Sequence, residues 1–164
     1  MKIDYKTFKY SVLMLMLLVI PFNAIHEIGH LIPCIVSGGQ GTFSIGLMAS
    51  QATCSLLSQS LVFLFAGGFL ATICAIIPVM IKRIQRSWTV IPLLSLGVGH
   101  FIVAILETFA TEFYMSDIAV MLMSFMSFII FVVMLVIFGR KEDIRKQQWL
   151  TSKEASKMFE KERD

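Results

Sequence analysis

Apolar residues in this chain are gathered into four long runs, at approximately 10–36, 56–81, 90–106 and 118–138. Each is long enough to cross a bilayer core of ~30 Å at ~1.5 Å per residue. Hydrocarbon offers no partner to backbone N–H and C=O groups, so a crossing segment must satisfy its own by forming a helix. The pattern therefore predicts an all-α membrane protein with four transmembrane helices. The stretch from Ser37 to Gly46 breaks the pattern: it is glycine-rich, uncharged and partly alternating. It predicts a short extended or hairpin segment between the first and second helices, dipping back toward the membrane. Residues 1–138 then make one transmembrane domain, and the charged stretch 139–164 is read as a cytoplasmic tail.

Composition excludes a soluble domain, with 57% hydrophobic and only 15% charged residues. Charge then orients the helices, because cytoplasmic flanks of membrane spans collect Lys and Arg. Lys2, Lys6 and Lys9 precede the first run, Lys82, Arg83 and Arg86 separate the second from the third, and every other basic residue follows the fourth. Between the first and second runs there is no charge, and between the third and fourth only Glu107, Glu112 and Asp117. Both termini are therefore expected in the cytoplasm of a prokaryotic cell, in a multi-pass protein of the cell membrane. The basic start followed by Val12–Ile20 resembles a secretory leader, but the apolar run continues past Pro21 with no small-residue cleavage site, and it is read as retained. The lipid bilayer is one expected partner; nucleic acid is not.

The chemistry sits inside the first run, at His26-Glu27-Ile28-Gly29-His30. At ~3.6 residues per turn the two histidines share a helix face and can converge on one metal ion. Glu27 beside them need not be a ligand, and can instead take the proton of a water activated by the metal. Two imidazoles and a carboxylate are costly in lipid, which marks them as functional. Pro21 and Pro33 bracket the motif, and Gly29 leaves room for a neighbouring helix, for which Ala66-Gly67-Gly68 in the second run offers a small-residue face. A catalytic zinc needs a third ligand. Asp117, at the outer start of the fourth run and at about the depth of His26, is the first choice; Glu107 and Glu112 compete, and His100 ranks after them. Candidate substrate contacts are Asn23, Gly38 and Gly39. Cys34, Cys54 and Cys74 match no zinc spacing and read as small buried residues, although Cys34 and Cys54 lie toward the same side and can pair.

The HExGH pentapeptide in an apolar helix, the glycine-bearing loop, Ala66-Gly67-Gly68 and Ser116-Asp117 together resemble the site-2 protease family of intramembrane zinc metalloproteases. The resemblance covers roughly residues 20–125, and points to a compact branch without PDZ or CBS domains. It implies a zinc-dependent hydrolase that cleaves a peptide bond of a membrane protein or membrane-adjacent peptide. It also implies His26, His30 and Asp117 as metal ligands and Glu27 as the catalytic base. The competing expectation is a catalytically silent membrane protein that binds a metal or a partner, of the immunity or accessory type.

The charge distribution makes a direct prediction about topology. A reporter that fluoresces only in the cytoplasm should be bright when fused after Arg86 or Asp164 and dark when fused at Gln40 or Glu112. A bright fusion at Gln40 would reverse the assignment.

Overall fold

The computed structural model describes residues 5–46, 50–56, 60–82, 84, 86–114, 116, 118–119 and 121–138. In chain order they form helix α1 (Tyr5–Val36), strands β1 (Gly41–Ser44) and β2 (Gln51–Cys54), α2 (Leu61–Met80), α3 (Ser87–Phe109), the single turn α4 (Thr111–Tyr114) and α5 (Met121–Phe138). Helices α1, α2, α3 and α5 are each long and apolar enough to cross a membrane. The expected four spans are therefore present, with the expected hairpin between the first and second. Asp117 and the tail at 139–164 lie outside the described residues.

Local chemistry sets the boundaries. α1 begins earlier than the apolar pattern indicated and runs through both Pro21 and Pro33. It ends where Gly38 adopts a positive φ of 79°, a backbone state with little cost only for glycine. The amides of Gly38 and Gly39 then reach back to the carbonyls of Ile35 and Cys34, both at 2.9 Å. The chain leaves this turn into β1, which pairs antiparallel with β2 from Gly41 opposite Cys54 to Ser44 opposite Gln51.

α2 starts at Leu61 rather than near 56, because Leu56 still belongs to the turn after β2 and Ser60 caps the helix. The Ser60 hydroxyl accepts from the Phe63 amide at 3.1 Å, satisfying one of the donors orphaned at a helix start. α3 is longer than 90–106 at both ends. In its last turn the Thr108 hydroxyl donates to the Ala104 carbonyl at 2.6 Å, and Ala104 and Thr108 are both buried.

The first three spans pack against one another, with Phe22 of α1, Ala71 and Ala75 of α2 and Leu93 of α3 in one core. α5 joins through Phe131 and Leu135, which pack on Ile91 together with Val12 and Leu15. Many large apolar side chains remain on the outside, among them Leu17, Ile35, Leu61, Met121 and Phe128. In water such a surface would aggregate; in a bilayer it faces hydrocarbon.

With lipid outside, burial no longer drives helices together, and close packing must do so. The tightest approach joins α1 to α2. A methyl group on Gly29 would lie 2.7 Å from both the Ala66 carbonyl oxygen and the Gly67 Cα, so only glycine fits. α2 and α3 are joined by the Thr72 hydroxyl, which lies 2.7 Å from the Gly68 carbonyl of its own helix and 3.1 Å from that of Gly97. Such a bond between spans contributes roughly 1 kcal/mol.

The hairpin lies against α1 and is fastened there by a disulfide between Cys34 and Cys54. The bond is packed beneath Phe63, and Cys74 of α2 stays a free thiol. Closing a loop with a sequence separation of 20 residues restrains the unfolded chain, an effect of roughly 3 kcal/mol.

The disulfide is checked by counting thiols. In denaturing detergent without reductant, a mass-tagged maleimide should add one tag, at Cys74, and after reduction three. Three tags before reduction would show that the bond is absent.

Candidate metal centre

The centre is built on the exposed-to-buried pattern of α1. Ile28 and Ile32 face outward, whereas His26, Glu27, Gly29 and His30 face the bundle. Among the described residues, His26, Glu27 and His30 are the ionisable side chains, other than cysteines, that count as buried. Removing such groups from water is expensive, and each must find partners.

His30 finds its first partner in α2. Its Nδ1 lies 2.6 Å from the Phe63 carbonyl oxygen, so Nδ1–H donates and Nε2 is left with a lone pair. Phe63 is held in turn by the Ser60 cap, and its ring lies against the imidazole with centroids 5.0 Å apart. The imidazole fits only because Gly67 is glycine: a Cβ there would overlap His30 Nε2. The small-residue faces of α1 and α2 thus do more than bring two helices together, since they make the space in which one imidazole is aimed.

His26 sits one turn earlier, with its Nε2 3.0 Å from His30 Nε2 and the rings inclined at 71°. Glu107 enters from α3. Its Oε2 lies 3.3 Å from His26 Nε2, and its Oε1 lies 3.5 Å from His30 Nε2. One ligand atom each from His26, His30 and Glu107 can be chosen so that all lie within 4.8 Å of one another. Ligand atoms at ~2.0–2.2 Å from a tetrahedral zinc are themselves ~3.3–3.6 Å apart, close to the separations found here. The chemistry fits too. Glu107 Oε2 is buried without a hydrogen bond among the described residues. It faces His26 Nε2, while Oε1 faces the lone pair of His30 Nε2, an arrangement of acceptors that a cation would satisfy.

Glu27 lies next to His26, within electrostatic reach of His26, His30 and Glu107. Tyr114 of the short α4 is also near. Burial pushes its phenol above the ordinary range, and the Glu107 and Glu27 carboxylates push it further, so it remains an O–H donor. The sequence alone did not single it out.

The sequence candidates separate clearly. His26 and His30 converge as expected. Glu107, ranked there behind Asp117, is the carboxylate that meets them among the described residues, whereas Glu112 is exposed on α4. Ending the third span at 106 had placed Glu107 in a loop; the extra turn of α3 carries it inward. A usable signal was its spacing of two helical turns from His100, which puts both on one face of α3. His100 meets the opposite side of His26, with the two Nδ1 atoms 3.3 Å apart. Asn23 is half-buried, and no hydrogen bond or ion pair among the described residues links it to the histidines. Gly38 and Gly39 form the turn after α1, and Gly39 packs on the disulfide sulfurs. Compared with known proteins, the chain matches no family model, no curated protein and no solved structure.

The Gly67 contact gives a test that leaves every ligand in place. Gly67→Ala should fold and insert, yet lose metal affinity by at least ~10-fold, because the methyl group displaces His30 Nε2. A Gly99→Ala control, where an added Cβ meets only the Ser127 hydroxyl at 3.7 Å, should leave affinity unchanged. Equilibrium dialysis against buffered zinc reads the difference, and unchanged affinity in Gly67→Ala would contradict the geometry.

Proposed function

We propose that this chain is a membrane-embedded zinc endopeptidase, similar to the site-2 proteases, that hydrolyses a peptide bond of a membrane protein or a membrane-adjacent peptide. The observation that carries the proposal is the convergence of His26, His30 and Glu107 with Glu27 beside them. His26 and His30 would hold the ion through Nε2 and Glu107 through a carboxylate oxygen, a donor set of two histidines and a glutamate used by known zinc peptidases. The depth expected of the fourth span and the family resemblance name Asp117 in that third place. Zinc bound there would supply Lewis acidity and lower the pKa of a coordinated water toward ~7.

The remaining steps belong to the protein. Glu27 accepts a proton from the attacking water and later delivers it to the leaving amine, so that the amine departs neutral rather than as an anion. Tyr114 O–H is a donor available to the carbonyl oxygen as charge develops on it. The carboxylate of Glu107 offsets half of the charge of a dication in a medium that screens poorly. The hairpin presents main-chain groups to which an extended substrate can add as a further strand, with Gly38, Gly39 and Asn23 as candidate contacts.

Cys34 lies one turn beyond His30, and disulfides persist in oxidising compartments. Together with the basic flanks, this supports a hairpin on the outer face of a prokaryotic cell membrane and both termini in the cytoplasm.

Purified protein in detergent or nanodiscs tests the activity. Wild type should cleave a membrane peptide, lose cleavage with a zinc chelator and regain it with zinc. Glu27→Gln should keep its zinc but cleave at least ~10²-fold more slowly. Glu107→Ala should lose zinc about as fully as His26→Ala does. If Asp117→Ala loses zinc while Glu107→Ala keeps it, the third place belongs to Asp117. If wild type and Glu27→Gln both bind zinc and neither cleaves any of a broad panel of membrane peptides, a catalytically silent metal-binding protein is the better description.

A further inference from the structure

His26 is gripped by α3 on both sides of its ring. Nε2 faces Glu107 at 3.3 Å, and Nδ1 faces Nδ1 of His100 at 3.3 Å. His100 and Glu107 stand two turns apart on one face of α3, so a single rigid element addresses both nitrogens of one imidazole.

The position of His100 is itself fixed. Its ring stacks on buried Phe22, one turn before His26 on α1, with centroids 6.1 Å apart and planes inclined by 28°. Its backbone is fixed from α2, where a Cβ on Gly68 would overlap the His100 carbonyl oxygen. The residue is thus held through its ring by α1 and through its backbone by α2.

Resting on the proposed metal site, we propose that His100 is a positioning residue: neutral and protonated at Nε2, it accepts the Nδ1–H of His26 through its own Nδ1, and so presents the lone pair of His26 Nε2 to the metal. A metal-ligating imidazole commonly donates its second N–H to an outer partner, which sets tautomer and ring angle. For His30 that partner is the Phe63 carbonyl. For His26 the facing atom is Nδ1 of an imidazole, which is an acceptor only in the tautomer protonated at Nε2. His100 does not touch the ion; it acts through His26.

Zinc affinity, measured by competition with a chromophoric chelator, should fall ~10- to 100-fold in His100→Leu, which keeps bulk but offers no acceptor. His100→Asn can place its carbonyl oxygen near the position of Nδ1, and should restore affinity to within ~3-fold of wild type. A purely structural role would not produce that rescue. The tautomers are read directly in zinc-loaded wild type labelled with ¹⁵N-histidine, where three histidines give assignable signals. His26 Nδ1 should carry a proton and His100 Nδ1 should not. The proposal fails if His100→Leu binds zinc like wild type, if His100→Asn is as weak as His100→Leu, or if the proton is found on His100 Nδ1. Wild type that binds no zinc at all would overturn the metal site, and this assignment with it.

Discussion

The close passage of two backbones at Gly29 and Gly67 is the contact on which this structure turns. In water the burial of apolar area would press α1 and α2 together whatever residues met. In lipid that force is missing, and helices associate where small residues let their atoms reach one another. Gly29 allows the approach, and Gly67 leaves a hollow that the His30 ring occupies. The helix crossing and the imidazole are parts of one packed unit.

α3 contributes in a different way. Where α2 shapes and orients, α3 supplies charge and hydrogen-bonding groups, with Glu107 and His100 both directed at His26. A carboxylate and imidazoles in so poorly solvated a place are tolerable only when each answers another. Phe63 supplies a carbonyl, Phe22 a stacking face and Thr72 a fixed link between α2 and α3. Burial of the polar groups and rigidity of the bundle are therefore the same problem with the same solution.

The spans, the hairpin and the two histidines were legible in the sequence because each follows from local rules: hydrophobic length, glycine with alternation, and the four-residue spacing of the motif. Glu107 was less so. Its significance depends on whether α3 lasts one turn longer than its apolar run, and that turn is held by Thr108 bonding its own backbone and packing inward, which hydropathy does not register. The pairing of Cys34 with Cys54 was only an option, since two cysteines at that separation meet only when a hairpin folds back on α1. Tyr114 was missed because its neighbours are set by a one-turn helix, too short to leave a periodic signal.

His26 and His30 belong to the first span and Glu107 to the third, so the residues that meet are far apart in the order of synthesis. A chain emerging from the ribosome has its HExxH helix in the bilayer long before α3 arrives. Until then two imidazoles alone would hold a zinc ion weakly. The proposed peptidase would be inert while half-made, amid the unfolded membrane segments it could otherwise attack. Dividing the ligands between distant spans would let the order of membrane insertion do what a cleavable inhibitory segment does in secreted proteases.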